Sequence, residues 1–536
     1  MNNRVKIYIP LIVGACLAVG TYIGAKLNFQ DGGEQIFAKN SKKDKLNRLI
    51  DYIDYEYVDQ VNTDSIVDVT VNGILENLDP HSVYIPVDAY EDAANDMRGN
   101  FVGIGVNFYV YNDTIAVINP IPGGPAYEAG IRGGDRIVAA NGQVLDGSQI
   151  SRDSIVSYLK GNRNSKVKLS VYRKGEPELL EFNVRRKEVP LVSVDASYMI
   201  DEGIGYIKVN RFAESTYEEF KESLDQLQDE GLNTLVLDLR NNPGGYINSA
   251  NKILDEFLED DRLMLITKNK KGDEDKTYAT RKGDFEKGKI YVLINENSAS
   301  ASEIVAGALQ DNDHGTIVGR RSYGKGLVQR EMALGDGSAV RLTIARYYTP
   351  TGRSIQRSYA NGLDDYFSEY QNRYFNGELR SADSIKVSDS LKFVTPKGRV
   401  VYGGGGITPD VFVPKDTSMA NETLEYVMNS GYMNYFVFEQ LENSRSDYDG
   451  MSFETFLNDY QVSDELANAF IDYDSRFRER NFDLESNYEA LKLAIKQALA
   501  NQLFGSNQAQ QVANSQDPMI QKVIDLERSK LQPIID

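Results

Sequence analysis

Apolar positions change their period along this chain, and each change predicts a different kind of element. From Asp44 to Val58, residues Leu46, Leu49, Ile50, Ile53 and Tyr57 fall on one helical face, and a second helix is predicted from Thr63 to Leu78. Leu78-Asp79-Pro80-His81-Ser82 ends it with a turn. Between residues 99 and 186 the pattern becomes short alternating strands, Val102 to Tyr109, Thr114 to Ile118, Arg136 to Ala140 and Lys166 to Arg173. Turns carry Gly123-Gly124-Pro125 and Asn141-Gly142, and short helices fit Ala126 to Ala129 and Ser151 to Leu159. From Gly203 onward strands (Ile204 to Val209, Thr234 to Leu239, Leu263 to Thr267, Lys289 to Ile294) alternate with helices (Ser215 to Glu230, Ile247 to Leu258), which predicts an α/β layer architecture. A strand from Ser338 to Tyr348 precedes an acidic, tyrosine-rich insertion, about Tyr359 to Leu391, expected on the surface. The rest reads as helices at Glu422 to Met428, Tyr432 to Leu441, Phe453 to Tyr460 and Tyr488 to Phe504. No chemistry is apparent in that region.

Composition narrows the function classes. A chain of 536 residues implies about three or four domains. A formal net charge of −20 argues against a nucleic-acid partner, which needs a basic footprint. The single cysteine, Cys16, rules out an intrachain disulfide and a cysteine-based metal site. The two histidines, His81 and His314, leave few candidates for a Ser-His-Asp triad. Arg4 and Lys6 precede an apolar run from Ile7 to Ala25, close to the ~20 residues that span a bilayer. The basic residues would stay cytoplasmic, so the segment reads as an inner-membrane anchor with the body in the periplasm or otherwise outside the cytoplasm. A signal peptide cleaved or lipidated near Val13-Gly14-Ala15-Cys16 is the competing reading, and it also exports the body.

Candidate chemistry concentrates in Tyr291 to Gln329. A buried strand leads to Ser298, Ser300 and Ser302, then to a helical pattern, a second strand and Gly324-Lys325-Gly326. Read alone, Ser300-x-x-Glu303 is a capping box, and that is the simpler account of the serine. The same position suits a nucleophile, because the amide of Ala301 would face the oxyanion formed by attack through Ser300. A second donor would come from Gly244-Gly245, a turn between a strand and a helix where free amides gather. The nucleophile needs a proton acceptor. His314 falls in a polar Asp-Asn-Asp-His-Gly turn, whereas Lys325 becomes a base if burial keeps it neutral. Gln329 would orient the amine without adding a charge that holds its proton. Upstream, the amides of Val102-Gly103-Ile104-Gly105-Val106 would bind a peptide's terminal carboxylate while the strand edge takes the peptide as an added strand.

Those residues carry a resemblance. With Ala129-Gly130-Ile131-Arg132-Gly133-Gly134-Asp135-Arg136-Ile137, the upstream segment is similar to a PDZ domain. Ser298-Ala299-Ser300-Ala301-Ser302-Glu303, Ala308-Leu309-Gln310-Asp311-Asn312 and Tyr323-Gly324-Lys325-Gly326-Leu327-Val328-Gln329 resemble the signature of the carboxyl-terminal processing, or tail-specific, serine proteases. Leu78 to Ser82, Arg240 to Gly245, Tyr348 to Gln356 and Gly406 to Asp410 match further motifs in family order. The resemblance implies Ser300 as nucleophile, Lys325 as general base, Gln329 as its orienting residue, and Ala301 with Gly244 and Gly245 as the oxyanion hole. It implies a ClpP/crotonase-like α/β protease core with an inserted, β-rich PDZ domain, and no metal or organic cofactor.

The expected organisation is an N-terminal membrane or signal segment (1–26), a linker (27–43), a helical region (44–98), the PDZ domain (99–187), the α/β core (188–415) and a helical C-terminal region (416–536). The expected partners are proteins or peptides with exposed C-terminal tails, and the membrane through the N-terminal segment; a homo-oligomer stays open. A non-catalytic PDZ scaffold on a degenerate protease core is the alternative. Retention of Ser300, Lys325 and Gln329 together disfavours it, since a scaffold needs none of them.

Overall fold

The apolar runs Thr234–Asp238 and Lys289–Ile294 are buried at nearly every position because they form the middle of a six-stranded sheet covered on both faces. The computed structural model describes residues 41–111, 114–145, 152–473 and 484–531, which fall into two units, 1–78 and 79–536. In the first unit, helices Ser41–Glu56 and Thr63–Glu76 appear where the helical pattern predicts them, and Asn62 caps the second by accepting from Ser65 N–H. The apolar run Ile7 to Ala25 lies outside the described residues. Among the described residues, no helix is long and apolar enough to cross a membrane.

In the second unit the core strands are numbered along the chain: β1 (Val194–Asp201), β2 (Ile204–Val209), β3 (Thr234–Asp238), β4 (Lys289–Ile294), β5 (Gly315–Gly319), β6 (Leu327–Ala333), β7 (Ala339–Tyr348) and β8 (Val411–Phe412). The main sheet has the order β1-β2-β3-β4-β5-β8, parallel except for the β1–β2 pair. Helices α1 (Thr216–Asp229), α2 (Ile247–Asp255) and α3 (Ala301–Asp311) bury Phe220, Leu254 and Leu309 against Leu235, Leu237 and Val292 on one face. Alternate residues Val236, Tyr291 and Leu293 point to the other face, where Ile520 and Val523 of helix Pro518–Leu531 cover them. A second sheet is built on β7, which pairs with β6 along one side and with strands Val83–Ile85 and Leu263–Asn269 along its length.

The PDZ segment forms its own six-stranded sheet and core around Ile115, Ile137, Val167 and Leu169. The single strand expected from Val102 to Tyr109 is two strands, Asn100–Gly103 and Val106–Tyr111. Gly105 at φ +74° turns the chain between them and sends Ile104 into the core. Strand Val106–Tyr111 is at the sheet edge: among the described strands it pairs with Thr114–Pro120, and its Val110 carbonyl accepts from the Tyr435 hydroxyl at 3.2 Å.

The expectation of a surface insertion at 359–391 needs correcting. It contains helix Leu363–Asn372, and Tyr366, Arg373, Glu378 and Leu379 are buried. The C-terminal region also does more than present solvated helices. Its helix Tyr432–Ser444 places Phe438 against Ala116 and Ile118 of the PDZ sheet, and Glu442 takes a two-point contact from Arg136 at 2.9 and 2.8 Å. Further on, Asn507 pairs through its side-chain amide with both backbone groups of Ser197 in β1, and Asp517 accepts from Arg240 at 2.6 Å. The region therefore touches the PDZ sheet at one end and the core sheet at the other.

Candidate active site

Adjacent parallel strands deliver the candidate residues to one edge. β3 ends at Asp238 beside Leu293 of β4, and Ile294 at the end of β4 lies beside Gly319 of β5. The loops leaving their carboxyl ends are Leu239–Gly245, Asn295–Ser300 and Arg320–Gly326, so they meet outside the sheet, where α/β folds place their ligand sites. Hydrogen bonds lock the first two together. Asn241 N–H donates to Asn295 Oδ1 at 2.9 Å, Asn295 Nδ2 donates back to Asn241 Oδ1 at 2.8 Å, and Ala299 N–H donates to the Asn242 carbonyl at 3.0 Å. The third loop joins through Tyr323 N–H, which donates to the Ser298 carbonyl at 2.9 Å.

Ser300 is the N-cap of α3, at φ +54° and ψ −112°, a backbone conformation costly for a residue with a Cβ. The capping box is present, with Ser300 N–H donating to Glu303 Oε2 at 2.9 Å. Glu303 does more than cap. It is fully buried, its Oε1 accepts from Ser322 Oγ at 2.5 Å and Gly324 N–H at 2.7 Å, and its Oε2 also accepts from Lys325 N–H at 2.9 Å. Burial pushes the Glu303 carboxyl upward, while the Ser322 hydroxyl and the amides of Lys325, Gly324 and Ser300 oppose it. With every direct partner a donor, we assign the ionised form.

Lys325 is held chiefly by desolvation below the ordinary lysine pKa, with the Arg341 charge pushing the same way and Glu303 and Asp79 pushing back. Its Nζ donates to Gln329 Oε1 at 2.8 Å, and Gln329 Nε2 donates to the His81 carbonyl. Asp79 shapes that turn by accepting from His81 N–H and Ser82 N–H, each at 2.9 Å. Among the described residues, no hydrogen bond joins the Ser300 hydroxyl directly to Lys325 Nζ. The His81 ring contacts Tyr366 of the insertion at 2.8 Å, and its pKa falls to about 3, through burial first and the Lys325 charge second. His314 follows the far end of α3; at ~1.5 Å of rise per residue the helix separates it from Ser300 by roughly 16 Å.

The glycine turn abuts the serine. A Cβ on Gly244, whose φ is +98°, would lie 2.7 Å from Ser300 Cβ and 2.8 Å from Ala301 N. Gly244 N–H already donates to Asn242 Oδ1 at 2.8 Å, so of the pair the Gly244 amide is engaged within the turn. The PDZ loop Val102–Val106 is engaged with its own domain, Ile104 and Gly105 carbonyls accepting from Ala126 and Ile121 N–H. Among the described residues, no cluster of side chains is suited to hold a metal ion. The sequence pattern did not single out Asp79, Tyr347 or the second task of Glu303. The traces they left were that Asp79, Glu303 and Tyr348, next to Tyr347, lie in matched motifs.

Residues 203–364 match peptidase family S41 and residues 102–184 match the PDZ domain. Residues 423–505 match a family of unknown function, DUF8443. The chain is 30% identical over 450 residues to the carboxy-terminal processing protease CtpB of Bacillus subtilis (strain 168), covering 81% of this chain and 90% of that one. It is 34% identical over 317 residues to a carboxy-terminal-processing protease of Bartonella bacilliformis, covering 58% of this chain and 72% of that one. Among solved structures it resembles a photosystem II D1 C-terminal processing protease, 26% identical with a TM-score of 0.35, over 69% of this chain and 86% of that one.

Proposed function

The chain belongs to peptidase family S41, among the PDZ-bearing carboxy-terminal processing serine proteases, and from that premise we propose that it is an endopeptidase cleaving proteins near their C-termini with a Ser300–Lys325 dyad. The observation that carries the reading is the Lys325 amine: desolvated, held below its usual pKa, and hydrogen-bonded to a neutral amide instead of a carboxylate. An amine so placed spends more time unprotonated near neutral pH, which a general base requires. Gln329 is itself fixed by donating to the His81 carbonyl, so its oxygen rather than its nitrogen faces Lys325.

In this reading Ser300 Oγ attacks the scissile carbonyl as Lys325 Nζ takes its proton. The oxyanion forms against Ala301 N–H at the start of α3 and Gly245 N–H across the turn, with Gly244 leaving room between them. Lys325 then returns the proton to the departing amine, leaving an ester on Ser300 that water hydrolyses with Lys325 again as base. The strain at Ser300 supports the assignment, since a sparsely populated backbone conformation persists where the surroundings over-determine it.

The PDZ segment, bounded at about residues 99–187 between the helical N-terminal region and a core of about 188–415, would take the substrate tail. Strand Val106–Tyr111 lies at the sheet edge, the place for an added strand, and the Val102–Val106 loop stands at the end where a carboxylate would lie. The basic residues and apolar run at the N-terminus support export of the body across a membrane.

The test is cleavage of a folded protein with an unstructured C-terminal tail by the soluble body and by Ser300→Ala and Lys325→Ala. Both variants are expected to lose activity by at least about 10³-fold with folding intact. If both cleave like the parent, the dyad is wrong.

A further inference from the structure

The backbones of Ser300 and Lys325 are tied to each other through the same two buried side chains. Glu303 Oε2 accepts both N–H groups, from Ser300 and from Lys325, each at 2.9 Å. The Tyr347 hydroxyl lies within hydrogen-bond distance of both carbonyls, 3.0 Å from that of Ser300 and 2.8 Å from that of Lys325. We propose that Tyr347 is a positioning residue for the dyad, its phenol setting the separation and orientation of the serine turn and the lysine loop. This rests on the Ser300–Lys325 reading above.

The two carbonyls depend on that hydroxyl unequally. The Ser300 carbonyl also accepts from Glu303 and Ile304 N–H within the first turn of α3. The Lys325 peptide lies between Gly324, at φ +93°, and Gly326, so it has little conformational restraint of its own. β7 supplies the restraint at two points, because Tyr347 N–H also donates to the Gly326 carbonyl at 3.0 Å. Tyr347 is fully buried, and burial, with the Glu303 charge, raises its pKa well above the usual phenol value. The hydroxyl therefore stays a donor throughout the working pH range. β7 is held on both sides, by β6 and by strand Leu263–Asn269, so the phenol is a fixed point between the two loops.

Removing only that hydroxyl leaves the ring packing, the β7 hydrogen bonds and the Glu303 contact to Lys325 N–H in place but takes the donor from the Lys325 carbonyl, so the peptide can tilt about its remaining anchors. Misplacing a reacting group by about 1 Å costs on the order of 10²-fold in rate. Tyr347→Phe is therefore expected to lower kcat by about 10- to 100-fold with KM within twofold of the parent. The acid limb of its pH–rate profile should move to higher pH, as the amine leaves its desolvated place. Tyr217→Phe is the control: it deletes another hydroxyl of the core, one that donates to Glu256 Oε1 at 2.7 Å, and should leave kcat and the acid limb unchanged. The proposal is overturned if Tyr347→Phe keeps the parent's kcat and acid limb while Ser300→Ala and Lys325→Ala are inactive. It is also overturned if its loss of kcat comes with a fall in Tm well beyond that of Tyr217→Phe and an unmoved acid limb. Parental activity in Ser300→Ala and Lys325→Ala would instead remove the dyad reading itself, and the positioning role with it.

Discussion

Replacing Gly244 by alanine separates the oxyanion geometry from the backbone that carries it. The added Cβ would sit 2.7 Å from Ser300 Cβ, 2.8 Å from the Ala299 carbonyl oxygen and 2.8 Å from Ala301 N, all inside normal contact distance. Its nearest neighbours are backbone atoms and a Cβ, none of which can swing aside. The methyl group would therefore occupy the space in front of the Ala301 amide. Loss of one oxyanion donor costs about 10²–10³ in kcat, or about 2.7–4 kcal/mol of transition-state stabilisation. Displacing Ser300 as well makes 10³ the expected lower bound for Gly244→Ala. At φ +98° the substitution also costs roughly 1–2 kcal/mol of folding stability. Gly231→Ala isolates that second effect, since Gly231 has φ +93° and nothing within 4 Å of an added Cβ. Steady-state cleavage of a tailed substrate, with thermal unfolding of both variants alongside, makes the comparison. A larger Tm loss in Gly244→Ala than in Gly231→Ala, because only the former overlaps its neighbours, with activity lost only in Gly244→Ala, is expected. Gly244→Ala turning over within threefold of the parent would refute the placement of the oxyanion site.

Other consequences follow from the electrostatics and the docking contacts. Gln329→Glu puts a carboxylate beside Lys325 Nζ and should raise the lysine pKa, shifting the acid limb of kcat/KM up by about a unit or more and lowering activity at neutral pH; an unmoved limb would mean another group titrates. His81 has a folded pKa of about 3 against about 6.5 when unfolded, so between those values the unfolded chain binds a proton the folded chain does not. Stability should therefore fall as pH drops from about 6.5, with His81 contributing at most about 1.4 kcal/mol per pH unit; His81→Gln should flatten denaturation midpoints measured between pH 6.5 and pH 5. Glu442→Gln should cost about 1–2 kcal/mol of PDZ docking and speed hydrogen exchange in strand Arg136–Ala140 and helix Tyr432–Ser444, with unchanged exchange arguing that Phe438 alone holds the contact.

The parts of this architecture legible from the sequence are those written in local pattern. Ile204–Val209, Arg136–Ala140 and Lys289–Ile294 have the predicted ends, because apolar or alternating runs bounded by turn residues carry that information in a few positions. Strand β1 was missed: Val194–Asp201 is half-buried, with polar residues that pair with the C-terminal region three hundred positions away. The insertion was misjudged for a related reason. Its tyrosines and arginines look like solvated surface, but Tyr366 is buried with its ring 4.1 Å from the Arg357 guanidinium just before the insertion, and Arg373 donates to the Ser322 carbonyl at 2.8 Å. At the candidate site, motif spacing was enough to pick out Ser300, Lys325 and Gln329. Nothing in it separates Gly244 from Gly245, since that distinction depends on Asn242 Oδ1 taking one of the two amides. Tyr347 sits in a strand pattern that any buried aromatic would satisfy, so its two carbonyl contacts exist only in three dimensions.

The most direct test of the central claim is a rapid acid quench of the enzyme with a tailed substrate, followed by mass-spectrometric mapping of covalent acyl groups. An ester on Ser300 is expected, forming faster as pH rises through the lowered pKa of Lys325 and absent in Lys325→Ala. Turnover without an ester on Ser300, or an ester formed by Lys325→Ala at the parental rate, would contradict the Ser300–Lys325 dyad.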